Sequence, residues 1–193
     1  MTSKSCTIRP ARASDATSEA DLSHLSLYDA ALSLRYYDSY LHLEPDSCFI
    51  LENSAGETIG GLRTTVDTLT FARRYDKDFL PSLNVDRCPR PGTRAFEALQ
   101  EDEKEALRQL WEGGADLRGV RCLADHPAHF HIGVDEPYRG QGYGMEMLRR
   151  AEEYWRLRRV KGAFVQPSDE RARAYFMRLG WRQMDEDTLV EAL

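Results

Sequence analysis

Residues 128–144, AHFHIGVDEPYRGQGYG, constrain the chain more than any other stretch. From Ala128 to Val134 the residues alternate, with Phe130, Ile132 and Val134 on one side and His129, His131 and Gly133 on the other. That is the period of a strand with at least one buried face. Asp135 to Arg139 carries Pro137 and reads as a turn; Gly140, Gly142 and Gly144 follow, and beyond them the apolar period becomes helical. Strand, glycine loop and helix are expected in direct succession. Such a junction can cradle a pyrophosphate, because glycines leave the backbone uncovered and loop N–H groups converge on an anion. Arg139 adds a positive charge at the edge. A glycine triplet that only closes a tight turn is the other reading. Two rival glycine motifs fit worse. The phosphate loop of nucleotide hydrolases ends in Gly-Lys-Ser/Thr, where this loop ends Gly-Tyr-Gly-Met, and the dinucleotide fingerprint needs glycine where Met145 stands.

Upstream, Ser5 to Arg9 reads as a first strand whose hydrogen bonding ends at Pro10, and Ser14 or Asp15 can cap one or two helices over 14–41. The cluster Tyr36-Tyr37-Asp38-Ser39-Tyr40 lines a cleft or packs a helix end against the sheet. Cys48 to Leu51 and Thr58 to Thr65 flank a turn composition at 53–57, which predicts an antiparallel hairpin. Gly60-Gly61 in its second strand suggests a bulge or a close contact. Between Val66 and Asp125 the pattern is least regular, with Pro81, Pro89 and Pro91 and then an acidic helical stretch from Thr93 to about Trp111.

Downstream, Met147, Leu148, Ala151, Tyr154 and Trp155 recur at helical spacing opposite a charged face. The basic run Arg156, Arg158, Arg159 and Lys161 reads as a nucleic-acid patch or as cations at the negative end of that helix. Ala163 to Val165 reads as a short strand. Asp169 caps a last helix whose inward face is Ala172, Tyr175, Phe176 and Leu179, Gly180 ends it, and 181–184 and 188–193 can supply closing strands.

The chain has 193 residues, 41% hydrophobic and 30% charged, which suits one domain with one core. A formal charge of -6 argues against a general nucleic-acid or anionic-membrane binder and mildly favours a cationic partner such as an amine. No long apolar run or secretory signal pattern is present, so a cytoplasmic location is expected. Cys6, Cys48, Cys88 and Cys122 are scattered singly and are expected as buried thiols rather than a disulfide framework or zinc knuckle. His126, His129 and His131, with Asp125 beside them, could form a metal site, but strand-edge histidines are the commoner arrangement and no metal is expected.

Arg139-Gly140-Gln141-Gly142-Tyr143-Gly144 resembles the Arg/Gln-x-x-Gly-x-Gly/Ala loop of the GNAT superfamily of N-acetyltransferases. Tyr175-Phe176-Met177-Arg178-Leu179-Gly180-Trp181 is similar to that family's later Phe-Tyr-x-x-x-Gly-Phe segment. Pro127 to Ile132 and Tyr40 to Pro45 resemble the branch containing the acetyltransferase-like domain found with O-GlcNAcases and its free-standing bacterial relatives. The resemblance runs over about residues 5–193 and is strongest from 127 onward.

It implies an α/β (α+β) fold, a single GNAT domain over 1–193. A mixed, mostly antiparallel twisted sheet would carry helices on both faces and, where the family has a far shorter connection, a long insertion at about 66–125 that would serve as a lid, an acceptor-specificity element or an oligomer contact. It implies acetyl-CoA as cofactor, bound by Ile132, Gly133, Val134, Arg139, Gly140, Gln141, Gly142, Tyr143, Gly144, Asp169 and Phe176, with the pantetheine arm in a gap beside the central strand. It implies acetyl transfer to a primary amine on a small molecule, peptide or protein, with no nucleic acid or membrane partner; a homodimer is a reasonable expectation. The family's usual tyrosine acid falls on Phe176, which has no hydroxyl, so Tyr175 is the substitute candidate. The branch often carries Asp where Gly133 stands, which leaves His131 as the candidate base, directly or through water. Asp135 and Glu136 are secondary choices. The alternative implied by these departures is an acyl-CoA-binding pseudo-acetyltransferase that acts as a binding or interaction module.

Overall fold

The computed structural model describes residues 6–17 and 22–193. These form two compact units. The first holds the described residues up to Ala11, then Asp46–Thr68 and Val120–Leu193; the second holds those of Arg12–Pro45 and Leu69–Gly119. The insertion expected over 66–125 is thus not a unit of its own, because most of it clusters with the early helices.

The first unit is built on a seven-stranded sheet. Its strands are β1 (Thr7–Pro10), β2 (Phe49–Glu52), β3 (Thr58–Thr65), β4 (Ala128–Val134), β5 (Gly162–Val165), β6 (Arg182–Gln183) and β7 (Leu189–Ala192), in the order β1-β2-β3-β4-β5-β7-β6. Only β4 and β5 are parallel; every other pairing is antiparallel, so the sheet is mixed and mostly antiparallel as expected. The start predicted at Ser5 lies outside the described residues, and Pro10 is the last strand residue, although Ala11 adds one more bond by donating its N–H to Cys48 at 2.8 Å. The Gly60-Gly61 pair serves close approach: a Cβ on Gly60 would stand 2.5 Å from the Gly133 carbonyl oxygen, and one on Gly61 2.6 Å from that of Phe49. The register between β2 and β3 also shifts at Leu51/Glu52, so the bulge is present too.

One face of this sheet carries Leu62, Ala128 and Phe130, packed with Met147, Leu148, Ala151 and Trp155, all buried. The last four lie at helical spacing on the helix Tyr143–Leu157, and Phe176 and Trp181 complete an aromatic cluster around Phe130 with ring centroids 5.5–5.8 Å apart. A polar chain crosses this core. The Trp155 indole N–H donates to Thr64 Oγ1 at 3.0 Å, and the Thr64 hydroxyl donates to the His129 carbonyl at 2.6 Å. Beyond the helix, Arg156 pairs with Glu152 at 3.2 Å and Arg158 lies 3.5 Å over the Tyr154 ring, which favours the helix-end reading of the basic run.

The second unit is helical. α1 (Leu27–Ser33) runs through a π-helical turn, Leu34–Asp38, into α2 (Ser39–Leu43), and α3 (Thr68–Arg74) likewise ends in a π turn, Tyr75–Phe79. The helix predicted from Thr93 to about Trp111 divides into α4 (Arg94–Glu97) and a longer helix, α5 (Glu101–Arg118). Its continuation through Gly113-Gly114 was hidden in the sequence. The two glycines admit the neighbouring π turn, since a Cβ on Gly113 would meet the Tyr75 hydroxyl at 3.1 Å and one on Gly114 would collide with Asp76. Tyr75 donates to the Leu110 carbonyl at 2.8 Å and is 1% exposed, and burial raises the pKa of its phenol. Tyr40 stacks on Phe71 at 4.3 Å, so this member of the tyrosine cluster packs rather than lining a cleft, whereas Tyr37 is exposed. None of the four cysteines forms a disulfide, three are buried, and no helix among the described residues is long and apolar enough to cross a membrane.

Thr64→Val keeps the shape of the core and removes both bonds of its polar chain, leaving the Trp155 N–H buried without its acceptor. We expect a loss of about 1–3 kcal/mol in urea denaturation; an unchanged midpoint would show that the chain carries no net stability.

Candidate functional site

The strand, loop and helix expected at 128–144 are all present within the first unit. After β4, a 3-10 turn spans Glu136–Tyr138, the loop runs through Arg139–Gln141, and Gly142 is the N-cap of α6 (Tyr143–Leu157). Gly140 and Gly142 have φ of +75° and +88°, a left-handed conformation that costs any residue with a Cβ about 1–2 kcal/mol. No side chain caps Gly142, and the first bond of the helix runs from the Glu146 N–H to the Gly142 carbonyl. The N–H groups of Gly144 and Met145 therefore precede the helical ladder, at its positive end.

Arg139 has a more specific role than a charge at the rim. Its Nε–H donates to the Val134 carbonyl at 2.7 Å, tying the loop back onto the end of β4. Gln141 secures the same loop by donating to the Pro137 carbonyl at 3.2 Å. Tyr143 bonds to the Cys6 thiol, the first cause of its raised pKa.

Among the described residues, no strand pairs with one backbone edge of β4 beyond His129. β5 pairs with it only at Ala128 and His129, while β3 follows it from His129 to Val134. The Asp135 N–H donates to the Ile59 carbonyl of the β3 side at 2.9 Å. By the two-residue repeat of a strand, Gly133 and His131 also direct their peptide groups to β3, and Ile132 and Val134 direct theirs to the opposite edge. The gap expected beside Ile132 and Val134 is the place where β5 no longer accompanies β4.

Two hydroxyl- or imidazole-bearing side chains flank this region from opposite faces. On the face shared with α6, Tyr175 of the helix Glu170–Arg178 is half-buried, and its hydroxyl lies 3.6 Å from the position of a Cβ on Gly144, which is also 3.8 Å from Ile132 Cδ1. Burial raises the pKa of Tyr175, and Arg178 opposes the shift, so the phenol is protonated at neutral pH. Phe176, expected among the cofactor contacts, is 3% exposed and points into the aromatic core. The residue in strict register packs on Phe130 and Trp181. Asp169 is the N-cap of the same helix, accepting the Ala172 N–H at 2.7 Å, and this is the contact the structure records for it.

On the other face, His131 is half-buried opposite Arg63 of β3, and its ring lies 5.9 Å from that of His129 at a near-perpendicular angle. His129 is 2% exposed, with its Nδ1 2.6 Å from Thr68 Oγ1. The same hydroxyl donates its one proton to the Pro127 carbonyl at 2.7 Å. The Nδ1 contact is then a bond only if the imidazole is the donor, which fixes a neutral Nδ1–H tautomer. Burial lowers its pKa well below the usual value, and His131 adds to the shift. Among the described residues no group of three His, Cys, Asp or Glu side chains could hold a metal ion. Asp135 and Glu136 are exposed on the turn. Thr68 and Arg63 were not singled out by sequence; the alternation of β3 places Arg63 beside Gly61 and Thr65, but nothing in that pattern marks a buried guanidinium.

The helix and the loop separate the glycines by role. Gly142→Ala should cost about 1–2 kcal/mol in denaturation because of its positive φ, whereas Gly144→Ala, at helical φ and in ordinary contact distance, should be neutral or up to about 1 kcal/mol stabilising. Equal effects would contradict this assignment. For His129 the depressed folded pKa means that the unfolded chain binds more protons below about pH 6.5. Stability is full above that pH and falls as the pH drops through it toward the folded pKa. His129→Asn, which keeps a donor for Thr68, should flatten the acid limb of a stability–pH curve; an unaltered limb would assign it to other groups.

No curated protein matches the chain by sequence. Among solved structures, a crystal structure of SsHAT is similar at 25% identity with a TM-score of 0.80, covering 97% of this chain and 98% of that one. A polyamine N-acetyltransferase from Drosophila melanogaster aligns at 13% identity and TM-score 0.55, covering 98% of this chain and all 100% of its own. A mosquito arylalkylamine N-acetyltransferase like 5b aligns at 15% and 0.54, again over 98% and 100%. These last two share the fold. The model of the acetyltransferase (GNAT) family matches residues 15–181, most of the chain including the whole glycine loop, and the protein belongs to the GNAT family of acetyltransferases.

Proposed function

We propose that the protein binds acetyl-CoA at the β4–α6 junction and transfers the acetyl group to a primary amine by direct attack on the thioester. The observation that carries this reading is the coincidence, among the described residues of one unit, of a β4 edge that no strand pairs beyond His129, an uncapped glycine helix start and the Tyr175 hydroxyl beside Gly144. The residues fit the group: Gly140, Gln141, Gly142, Tyr143 and Gly144 would hold the pyrophosphate, and the Ile132 and Val134 edge the pantetheine arm. When bound, acetyl-CoA supplies the activated acetyl carbonyl.

The chain's own residues supply the rest. Peptide N–H groups on this β4 edge can stabilise the charge that develops on the carbonyl oxygen, an effect commonly worth a few kcal/mol per donor. His131 takes the proton that the amine must lose as its nitrogen bonds to the acetyl carbon, directly or through water. Tyr175 gives its proton to the sulfur as the C–S bond breaks. Because the gap lies in the plane of the sheet, groups on both faces can act on one carbonyl within it. The amine class draws support from the net charge of -6 and from the fold shared with the insect amine acetyltransferases. Affinity with the O-GlcNAcase-associated branch, one acetyltransferase domain over the whole chain and a cytoplasmic location complete the proposal. The pseudo-acetyltransferase reading predicts binding without turnover.

Calorimetric titration with acetyl-CoA should give saturable binding that is lost in Gly144→Leu, whose side chain would stand between Tyr175 and Ile132 without straining the backbone. Tyr175→Phe and His131→Ala should keep acetyl-CoA affinity but lower amine-dependent thiol release by about 100-fold or more. Binding without any turnover over a broad amine panel selects the pseudo-acetyltransferase, and no binding by folded protein removes both readings.

A further inference from the structure

A phenol that gives up its proton at a half-buried position leaves an anion that burial disfavours. Tyr175 is half-buried, and the groups beside its hydroxyl and ring carry no charge. The hydroxyl and Ile132 Cδ1 lie 3.6 and 3.8 Å from the position of a Cβ on Gly144, and the Phe176 ring stands edge-on at 5.3 Å. On its own helix, Ala172 at i−3 and Leu179 at i+4 are apolar. The charges on this flank are two exposed arginines, Arg171 at i−4 and Arg178 at i+3.

The two are not equivalent. Helical Cα–Cβ bonds tilt toward the N-terminus, so a long side chain covers the turn before its own position. Arg178 therefore reaches back toward Tyr175, which lies one turn earlier and about 60° away around the axis. Arg171 leans the other way, toward the start of the helix. The field at the phenol agrees: Arg178 opposes the effect of burial, and Arg171 is not among the charges that bear on it. Arg173, the third arginine of this helix, is committed to Glu170 at 3.2 Å and to the Glu186 carbonyl, whereas Arg178 has no ion pair among the described residues.

We infer that Arg178 is a positioning residue for acetyl transfer, acting through Tyr175 by stabilising the phenolate left when the hydroxyl gives its proton to the departing sulfur. The inference rests on the transfer reading for its chemistry. As the amine nitrogen bonds to the acetyl carbon, the C–S electron pair passes to sulfur, which takes the Tyr175 proton. The phenolate then regains a proton from solvent, and the amine proton leaves through His131. A cation in the last turn also favours the helix dipole, and that purely structural role has to be separated from this one.

The test uses the full chain and two readouts. The first needs no acetyl-CoA. With tyrosine labelled at 13Cζ and the Tyr175 resonance assigned by its loss in Tyr175→Phe, NMR follows the phenol as the pH rises. Arg178→Gln should move its titration upward by about 0.3 pH units, Arg178→Lys should restore it, and Arg171→Gln should leave it in place. The second readout is amine-dependent thiol release. Arg178→Gln should lower kcat about threefold at an unchanged KM for acetyl-CoA, and Arg178→Lys should recover most of the loss. In a Tyr175→Phe background the same glutamine should change nothing. Thermal transitions report the helix end separately. A lower transition with neither shift would overturn the inference, as would an equal shift from Arg171→Gln or an undiminished effect without the Tyr175 hydroxyl. Absence of turnover by the wild type, with the phenol shift intact, would bear only on the transfer reading.

Discussion

The parallel ladder between β4 and β5 ends after two residue pairs, and most of the site's geometry depends on that. A buried strand must find partners for the peptide groups on both of its edges. Strand β4 solves one edge completely by pairing with β3 over six residues. On the other edge, β5 is only four residues long and departs toward Pro167, so the peptide groups beyond His129 need something else. At Val134 the answer is the Arg139 side chain. Between those two points the edge is available to a ligand that can itself offer donors and acceptors in strand-like order. The turn at 135–139 follows β4 directly and is tied back to Val134 by Arg139, which keeps the glycine loop beside this edge.

Precision at this edge requires that β4 be held firmly from both faces. On the α6 face, Thr64 bridges the Trp155 indole and the His129 carbonyl, so a buried hydroxyl joins the helix, β3 and β4 in one chain of bonds. On the other face, Thr68 joins the Pro127 carbonyl to the His129 ring. Each polar atom in these two chains has a partner, and a satisfied buried network stiffens what it connects. His129 can be almost wholly buried because its donor is bonded and its charged form is excluded; the polar group costs little when neutral and paired. The strand that carries the proposed base is thereby anchored one residue pair away from it.

Much of this was legible in the residues. The alternation from Phe130 to Val134 and the change of period after Gly144 place the strand, loop and helix correctly, because a half-buried strand and an amphipathic helix have unmistakable periods. The hairpin at 48–65 was equally plain. The region from 66 to 119 was not. Gly113-Gly114 looks like a helix end in isolation, and only the close approach of Tyr75 and Asp76 explains why the helix continues through it. The π turns at 34–38 and 75–79 have no sequence period of their own, and the helix at 68–74 was lost among the prolines that follow it. The capping role of Asp169 was legible; its place relative to the loop was not, since capping is local and cofactor contact is not.

The different burial of Tyr175 and Phe176 shows how a local terminator sets the rotation of a helix. The helix Glu170–Arg178 ends in a Schellman arrangement: the Trp181 N–H reaches the Phe176 carbonyl at 3.2 Å and the Gly180 N–H the Met177 carbonyl at 3.1 Å, with Gly180 at φ +99°. The motif folds Trp181 onto Phe176, their ring centroids 5.7 Å apart, and both join Phe130 in the core. That contact fixes the rotation of the helix about its axis. Successive residues are about 100° apart around a helix, so once Phe176 points into the core, Tyr175 must point to its flank. The flank is where Gly144 lacks a side chain and Ile132 ends. Phe176 fills the space among the rings of Phe130, Tyr175 and Trp181 with no polar atom to satisfy there.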